Sequence, residues 1–378
     1  DEQKMGQSVK SIRKALTKAS SVPVEQSSAM PSGYYVSEEF RLLEEKHVFR
    51  KEWVCLGRAT EVAEPGSFYT TTVINEPLLV TKDRNQEITV LSNVCRHRGN
   101  IIASGSGKSS RFTCGYHAWT YDLQGKLIGA PFMNEVKGFD PTACSLPRFK
   151  TEIWQGFLFV NLSGKAKPLA PRLEQLMPYL ENYEIDRRPH AFTKETTWAT
   201  NWKCLAENFM EGYHLDVTHP TTLRPLTPTS RCEYVPSNGY FNAYYSYYDP
   251  SYPERGPFPT KMTAKEKRCS FMFGVFPNLM VAAAPNILIF LCLTPNTSNA
   301  VNIRWGMSPI NEDHDLHSEQ IDFMGTINLE DKEKLETLQK GLQSRYYEPG
   351  RLAKPDLEGT VHDMYCYMSN HLGSTIKL

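Results

Sequence analysis

Two cysteines and two histidines place the tightest limits on what this chain can fold into. The stretch VCRHRGNIIASGSGKSSRFTCGYHAW holds Cys95-x-His97, a gap of 16 residues, then Cys114-x-x-His117. Two Cys and two His at such spacing make a metal site. Zinc is one reading, since it takes Cys₂His₂ sets. The other is a [2Fe–2S] cluster with two Cys on one iron and two His on the second. Each half here supplies one Cys and one His, so two matching loops can clamp a two-iron unit from both sides. Zinc knuckles usually pair Cys with Cys and His with His, which favours the cluster. Gly99, Gly105, Gly107 and Gly115 permit tight loops whose backbone N–H groups can point at sulfur. Such donors and the His ligation raise the potential of a cluster. GSGKSS (105–110) looks like half a phosphate loop, but the first glycine of that motif would fall on Ile102. It reads instead as the turn between the two ligand loops.

The texture of the chain around these residues is mixed. The first 30 residues are Ser- and Lys-rich and read as a mobile or surface-lying arm. Residues 37–53 have apolar positions at helical spacing. From about 54 to 165, short β-rich runs such as Phe68–Ile74, Pro77–Thr81 and Ile88–Val94 alternate with turns, and Trp154–Asn161 closes the series. Residues 166–189 read as a linker with a short helix, 198–219 as helical, 231–310 as strands and 314–345 as a long helix. The expected fold class is α+β, an antiparallel β domain followed by a sheet with covering helices. The expected division is 1–53 for an arm and helix packing on the second domain, 54–165 for the metal domain and 166–378 for the second. Net charge is zero, which argues against nucleic acid or an anionic membrane as partner. The most apolar run, Leu279–Leu293, is shorter than the ~20 residues a spanning helix needs. No apolar segment follows the basic N-terminus, so no secretory leader is expected. Nine scattered cysteines do not read as a disulfide framework, and a reducing, cytoplasmic compartment follows.

A second group of donors lies in NWKCLAENFMEGYHLDVTHP, where His214 and His219 stand five residues apart. On an ideal helix five residues turn by roughly 140°, so the two would not share a face. Pro220 ends the helix, and His219 can swing round from a distorted last turn. Taken alone, the pair is as readily one core histidine and one surface histidine.

Together the two groups resemble a known family. The Cys95/His97 and Cys114/His117 pair resembles the Rieske fingerprint. The segment E-N-F-x-E-x-Y-H-x-x-x-x-H-P, about a hundred residues later, resembles the iron-binding segment of Rieske non-haem iron oxygenases. The resemblance runs from about Tyr34 to the C-terminus. It implies a [2Fe–2S] cluster on the first four residues, with Trp119 shielding it. It implies a helix-grip catalytic domain in which His214 and His219 are two legs of a facial triad on Fe(II), with open positions for O₂ and substrate. The third leg falls in INLEDKEKLETLQKGLQS on Asp331, with its neighbour Glu330 as competitor. Asn208 and Glu211 fall among the catalytic residues. Glu211 is expected to link an iron-ligand His to a cluster-ligand His of the next subunit in a head-to-tail homotrimer.

NVCRHRGNII, GAP (129–131) and LQKGLQS are similar to the branch with choline and carnitine monooxygenases and betaine demethylases. Ring-hydroxylating dioxygenases usually have Gly-Asp before the Tyr-His; here Glu211 replaces that Asp and the loop is one residue shorter. The implied reaction is monooxygenation of a small quaternary ammonium or N-methylated substrate, by N-demethylation or C–N cleavage. An aromatic ring hydroxylase or O-demethylase of the same fold is the alternative. A Rieske electron carrier is a third reading, but it needs only about a hundred residues and no His214 or His219. No G-x-G-x-x-G, flavin motif or plant-type ferredoxin cysteine run is present. Electrons are therefore expected from a separate flavin/ferredoxin-type reductase drawing on NAD(P)H. The aromatic stretches 238–252 and 271–278 suit a cation box, a pocket for an aromatic ring, or plain sheet core.

Overall fold

Period-two runs of apolar residues assemble two seven-stranded antiparallel sheets. The computed structural model describes residues 7–378. Three helices come first: α1 (Val9–Ser20), α2 (Ser32–Val36) and α3 (Glu38–Glu44), which runs on into a π-turn over Glu45–Phe49. Ten strands follow: β1 (Val54–Arg58), β2 (Ser67–Val73), β3 (Glu76–Lys82), β4 (Ile88–Ser92), β5 (Ser106–Lys108), β6 (Phe112–Thr113), β7 (Thr120–Tyr121), β8 (Leu127–Gly129), β9 (Arg148–Trp154) and β10 (Phe157–Asn161). They form one sheet in the order β1-β10-β9-β4-β3-β2-β5 and a small one in the order β6-β7-β8. The GSGKSS segment is thus an edge strand, β5, pairing with β2 rather than a simple turn. After α4 (Met177–Leu180), the second large sheet takes β11 (Phe192–Trp198), then β12 (Cys232–Val235), β13 (Phe241–Tyr247), β14 (Cys269–Val275), β15 (Leu279–Ala283), β16 (Ile287–Thr297) and β17 (Ala300–Pro309). Its order is β11-β17-β16-β15-β14-β13-β12. Helices α5 (Trp202–Phe209) and α6 (Leu215–Thr218) fall between β11 and β12, and α7 (Ser318–Gly341) and α8 (Pro355–Leu372) close the chain.

The second sheet buries both faces. Alternate residues Phe241, Ala243, Phe271 and Phe273 pack with Phe157 and Phe159 of β10 and with Leu169–Leu180 of the connecting segment. The opposite set, including Tyr244, Met280, Ile289 and Leu291, packs beneath the helices. This alternation divides the aromatic stretches: Tyr245, Phe271 and Phe273 serve the first core, while Tyr244 and Tyr248 line a cavity on the other side.

The arm, expected to be mobile or surface-lying, is from residue 7 onward a docked helix; residues 1–6 lie outside the described part. Ser8 caps α1 by accepting from Ser11 N–H at 3.2 Å. Ile12 and Leu16 are fully buried against the rest of the core. Arg13 donates to the carbonyls of Leu372 and Gly373, both at 2.9 Å, at the end of α8. The Ser- and Lys-rich composition describes its outer face alone.

The helix that carries the second group of donors is held from behind. Lys203 and Glu44 form a buried ion pair, and Trp202 Nε1 donates to the same carboxylate at 2.8 Å. The Lys203 ammonium sits 4.6 Å from the Tyr34 ring and 5.4 Å from the Trp202 ring. Removing one partner of such a pair leaves a buried charge and costs about 3–5 kcal/mol. Tyr35 donates to Glu207 at 2.8 Å, one helical turn further on. No described helix is long and apolar enough to cross a membrane.

Candidate metal centres

Cys95 and Cys114 open two loops of the same construction. Cys95 N–H donates to Asn100 C=O at 2.8 Å, and Gly99 N–H donates back to Cys95 C=O at 3.0 Å. Cys114 N–H donates to Trp119 C=O at 2.8 Å, and Ala118 N–H donates back to Cys114 C=O at 3.0 Å. Both loops need a left-handed residue at the same place: Gly99 at φ 80° and Ala118 at φ 57°. The result puts both cysteines inside, at 4% and 2% exposure, and both histidines outside. Burial works against a Cys114 thiolate, but N–H groups of Tyr116 and His117, the Cys95 thiol and the Asn100 amide outweigh it and hold that thiol below its ordinary pKa. Arg96 N–H donates to the Tyr121 hydroxyl at 3.1 Å. The hydroxyl proton is thereby free for Cys95 Sγ, 3.3 Å away. Trp119, buried, stacks on the His97 ring with centroids 4.8 Å apart and planes 14° apart.

The donor geometry discriminates between the two metals. His97 Nδ1 and His117 Nδ1 lie 3.1 Å apart, with ring planes at 79°. The Cys95 and Cys114 thiols likewise pair with each other, so the four donors fall into two pairs, whereas a single zinc needs all four in one tetrahedron. A thiol pair on one side and an imidazole pair on the other fits a two-iron unit.

His214, His219 and Asp331 do converge: one donor atom from each lies within 4.8 Å of the others. The chain reaches this by breaking the expected helical stretch 198–219. α5 stops at Phe209, residues 210–214 turn, and α6 occupies one turn between the histidines, with His219 as its C-cap at φ −119°, ψ 55°. Gly212 sits in the break because a Cβ there would lie 2.2 Å from Cys232 Sγ. Glu211 is therefore off the helix. It still reaches His214: Oε1 accepts from Nδ1 at 2.5 Å, while Oε2 accepts the N–H groups of Tyr213 and His214.

Asp331 Oδ1 lies 3.1 Å from His219 Nε2 and 3.6 Å from His214 Nε2. His219 Nε2 and Asp331 Oδ1 are buried and have no hydrogen-bond partner. Two unpaired buried donor atoms aimed at one point fit a metal ion. Glu330, the neighbour on α7, turns elsewhere: its Oε2 accepts from His219 Nδ1 at 2.7 Å and from Thr222 Oγ1 at 2.7 Å. Sequence reasoning had no signal for this second role, because Thr222 and His219 come from a different segment. Burial disfavours a charged His214, but Glu211 and Asp331 outweigh it and raise its pKa. A cavity of about 590 Å³ opens beside the triad. Asn208 lines it, and its Oδ1 is buried and unpaired.

Residues 52–140 match the Rieske [2Fe-2S] domain, and residues 180–374 match the ring hydroxylating alpha subunit (catalytic domain). The carnitine monooxygenase oxygenase subunit of Acinetobacter baumannii is 34% identical over 198 residues, 50% of this chain and 52% of that protein. The alignment thus spans about half the length of that curated relative. The chloroplastic choline monooxygenase of Atriplex hortensis is 26% identical, covering 92% of this chain and 78% of its own. A solved quaternary ammonium Rieske monooxygenase superposes with a TM-score of 0.80 at 25% identity, over 92% of this chain and 95% of that one. Paired Cys–His loops among the first ten strands, a two-histidine, one-carboxylate site beside the second large sheet, and family matches over both make this chain a member of the ring-hydroxylating alpha subunits, the Rieske non-haem iron oxygenases.

Proposed function

We propose that this chain is an oxygenase component acting on a small quaternary ammonium or N-methylated substrate. Cys95, His97, Cys114 and His117 would hold the [2Fe–2S] cluster, and His214, His219 and Asp331 the Fe(II), with Asp331 rather than Glu330 as third ligand. When bound, the cluster supplies single electrons and the iron a site for O₂. The observation that carries the reading is the pair of unpaired donor atoms, His219 Nε2 and Asp331 Oδ1, at the end of an otherwise largely apolar cavity.

The other residues have roles in keeping with this. Glu211 and Glu330 each accept the Nδ1 proton of one histidine, which leaves Nε2 free to coordinate. Asn208 lines the cavity, and its buried, unpaired Oδ1 leaves a partial negative charge in its wall that suits a cation. Trp198, Phe209 and Tyr244 also line it, and each ring face is worth ~0.5–2 kcal/mol to an ammonium group. Hydroxylation of a carbon attached to nitrogen gives a product that collapses to an amine and an aldehyde. The carnitine, glycine betaine and choline monooxygenases among the relatives point to the same class.

Assembly and electron supply complete the proposal. Tyr116 and Phe132 are exposed beside the cluster loops, and Tyr213 and Val217 beside Glu211 and His214. Two apolar patches, one next to each centre, suit a head-to-tail ring, and a homotrimer is the expected form. A separate NAD(P)H-dependent reductase would deliver the electrons. Nine free cysteines suit a reducing, cytoplasmic setting.

Oxygen uptake with a surrogate reductase tests the reading across betaines, carnitine, choline and substituted benzoates. The quaternary amines should stimulate uptake and release an aldehyde. Uptake with benzoates alone would replace the amine reading by the aromatic one. Three irons per chain are expected, against two for an electron carrier.

A further inference from the structure

The cavity beside His214, His219 and Asp331 is longer than a compact betaine needs, and two internal rulers give its length. α7 presents Gln320, Phe323, Met324, Ile327, Asn328 and Asp331 to it, a single helical face. At ~1.5 Å per residue, Gln320 and Asp331 lie roughly 16 Å apart along the helix. β13 and the residue beyond it present Tyr244, Ser246 and Tyr248. At ~3.3 Å per residue, Tyr244 and Tyr248 lie roughly 13 Å apart.

The sheet register fixes which end is which. Tyr248 N–H donates to Arg268 C=O, and Arg268 in turn donates to the carbonyls of Asp249 and Tyr252, the segment that carries Arg255, so Tyr248 marks the Arg255 end and Tyr244, four residues back along β13, the metal end. Tyr244 pairs with Met272, and Met272 with Ala282. Ser246 pairs with Ser270, two residues further from the metal. Ala284 and Ile287 stand at the tip of the β15–β16 hairpin on that far side, and Ala284 N–H donates to Ile287 C=O. The mouth beyond them carries Glu254, Arg255 and His317.

The section between the ends is apolar. Met272, Ala282, Ile289, Phe323 and Met324 line it. The hydroxyls there satisfy one another: Tyr248 with Ser270 at 2.8 Å, and Thr227 with Ser246 at 2.5 Å. Ala282 and Ala284 leave the floor open where larger side chains would fill it. The volume of about 590 Å³ lies within the ~300–1,000 Å³ of pockets for drug-sized ligands. Glycine betaine, with eight non-hydrogen atoms, would leave most of it empty.

We propose that the preferred substrate is elongated, with an N-methylated head at the metal end, an apolar body over the Ala282–Ile289–Phe323 section, and a polar terminus at the Glu254–Arg255–His317 mouth. This rests on the amine reading above. Arg255 has no ion-pair partner within 4 Å among the described residues and lies against the Tyr252 ring, so its guanidinium is open to a terminal carboxylate.

Calorimetric titration of the holoenzyme under argon tests the inference with glycine betaine, γ-butyrobetaine, 6-trimethylammoniohexanoate and 8-trimethylammoniooctanoate. Affinity should rise about threefold per added methylene, the yield expected of a buried CH₂ after some loss to chain ordering. Ala284→Phe, which fills the far end, should move the optimum back toward the shorter members. The wild-type series decides the matter even if that variant does not fold. Tightest binding by glycine betaine, or no dependence on length, overturns the inference and leaves the amine reading standing. No binding by any amine, with binding by substituted benzoates, overturns both.

Discussion

The two metal sites are built on opposite plans. Each cluster loop is a short, self-contained unit: a Cys, a His two or three residues on, and two backbone hydrogen bonds that close the loop on itself. The iron site has no such unit. Its proposed ligands come from a broken helical segment and from the middle of α7, and they meet where α5 and α6 pack on α7. The loops would hold their shape as local structure, whereas the triad exists only in the folded domain. The difference teaches where damage should spread. A lesion in a loop stays with the cluster, and a lesion in the triad stays with the iron.

The strongest test of that separation is ligand removal. His214→Ala, His219→Ala and Asp331→Ala should each keep the red-brown colour and the Rieske EPR signal, yet lose turnover by about a thousandfold or more, the scale of losing an essential catalytic group. His97→Ala or His117→Ala should bleach the cluster while the mononuclear site still takes up iron. If a triad variant also bleached, the two sites would be one cooperative unit and the comparison would fail.

The carboxylates behind the histidines should give the next largest effects, and they differ in kind. Glu330→Ala removes the acceptor for His219 Nδ1–H, and Fe(II) affinity should fall about 10–100-fold by competitive chelation. Glu330→Gln keeps an acceptor oxygen and should restore most of it. Glu211→Gln should bind both metals and substrate yet lose most steady-state turnover, with the cluster left reduced on stopped-flow mixing with substrate and O₂. Reoxidation at the wild-type rate would mean that Glu211 only orients His214.

How much of this was legible in the sequence follows the same division. The proposed cluster ligands stand out in the sequence because their spacing is local: Cys95 and His97 need no distant residue to be brought together. Glu330 was readable only as a rival ligand. On a helix adjacent side chains point roughly 100° apart, and which of two neighbours faces the histidines depends on how α7 is rotated, a tertiary property. The break after Phe209 was hidden because ENFMEGYH has good helical periodicity; it takes the approach of Cys232 Sγ to Gly212 to open it. The docking of α1 was hidden because three buried residues, Ile12, Leu16 and Ala19, are a thin stripe in a Ser- and Lys-rich background. The aromatic stretches could not be divided between core and cavity without the register of β13 on β14.

A smaller effect distinguishes the two cysteines within the cluster. Among the described residues, a hydroxyl lies at the sulfur of Cys95 and not of Cys114: that of Tyr121. A hydrogen bond to charged sulfur stabilises the more negative, reduced cluster. Its removal in Tyr121→Phe should lower the reduction potential by an amount on the order of tens of millivolts, as a bond of about 1 kcal/mol converts for one electron. Redox titration followed by EPR measures it. An unchanged potential would show that the hydroxyl proton points away from sulfur.

The smallest expected effect bears on the likeness of the two loops themselves. Gly99 and Ala118 occupy equivalent places, both left-handed, and each donates its N–H back to the ligand cysteine four residues earlier. An L-residue in this conformation carries a cost of about 1–2 kcal/mol that glycine escapes. Glycine gives back about 0.5–1 kcal/mol because its unfolded chain has more freedom to lose. Ala118→Gly should therefore stabilise the protein by about 0.5 kcal/mol, read as the midpoint of urea unfolding followed by loss of cluster colour. The reverse change, Gly99→Ala, should destabilise it by a similar amount and no more, because a Cβ built on Gly99 meets nothing within 4 Å. Both variants should keep the cluster and its potential, since the sulfur and nitrogen donors are untouched. Equal and opposite shifts would establish that the two loops are one device used twice. A Gly99→Ala variant that lost its cluster would show that the first loop depends on its glycine for more than the backbone angle.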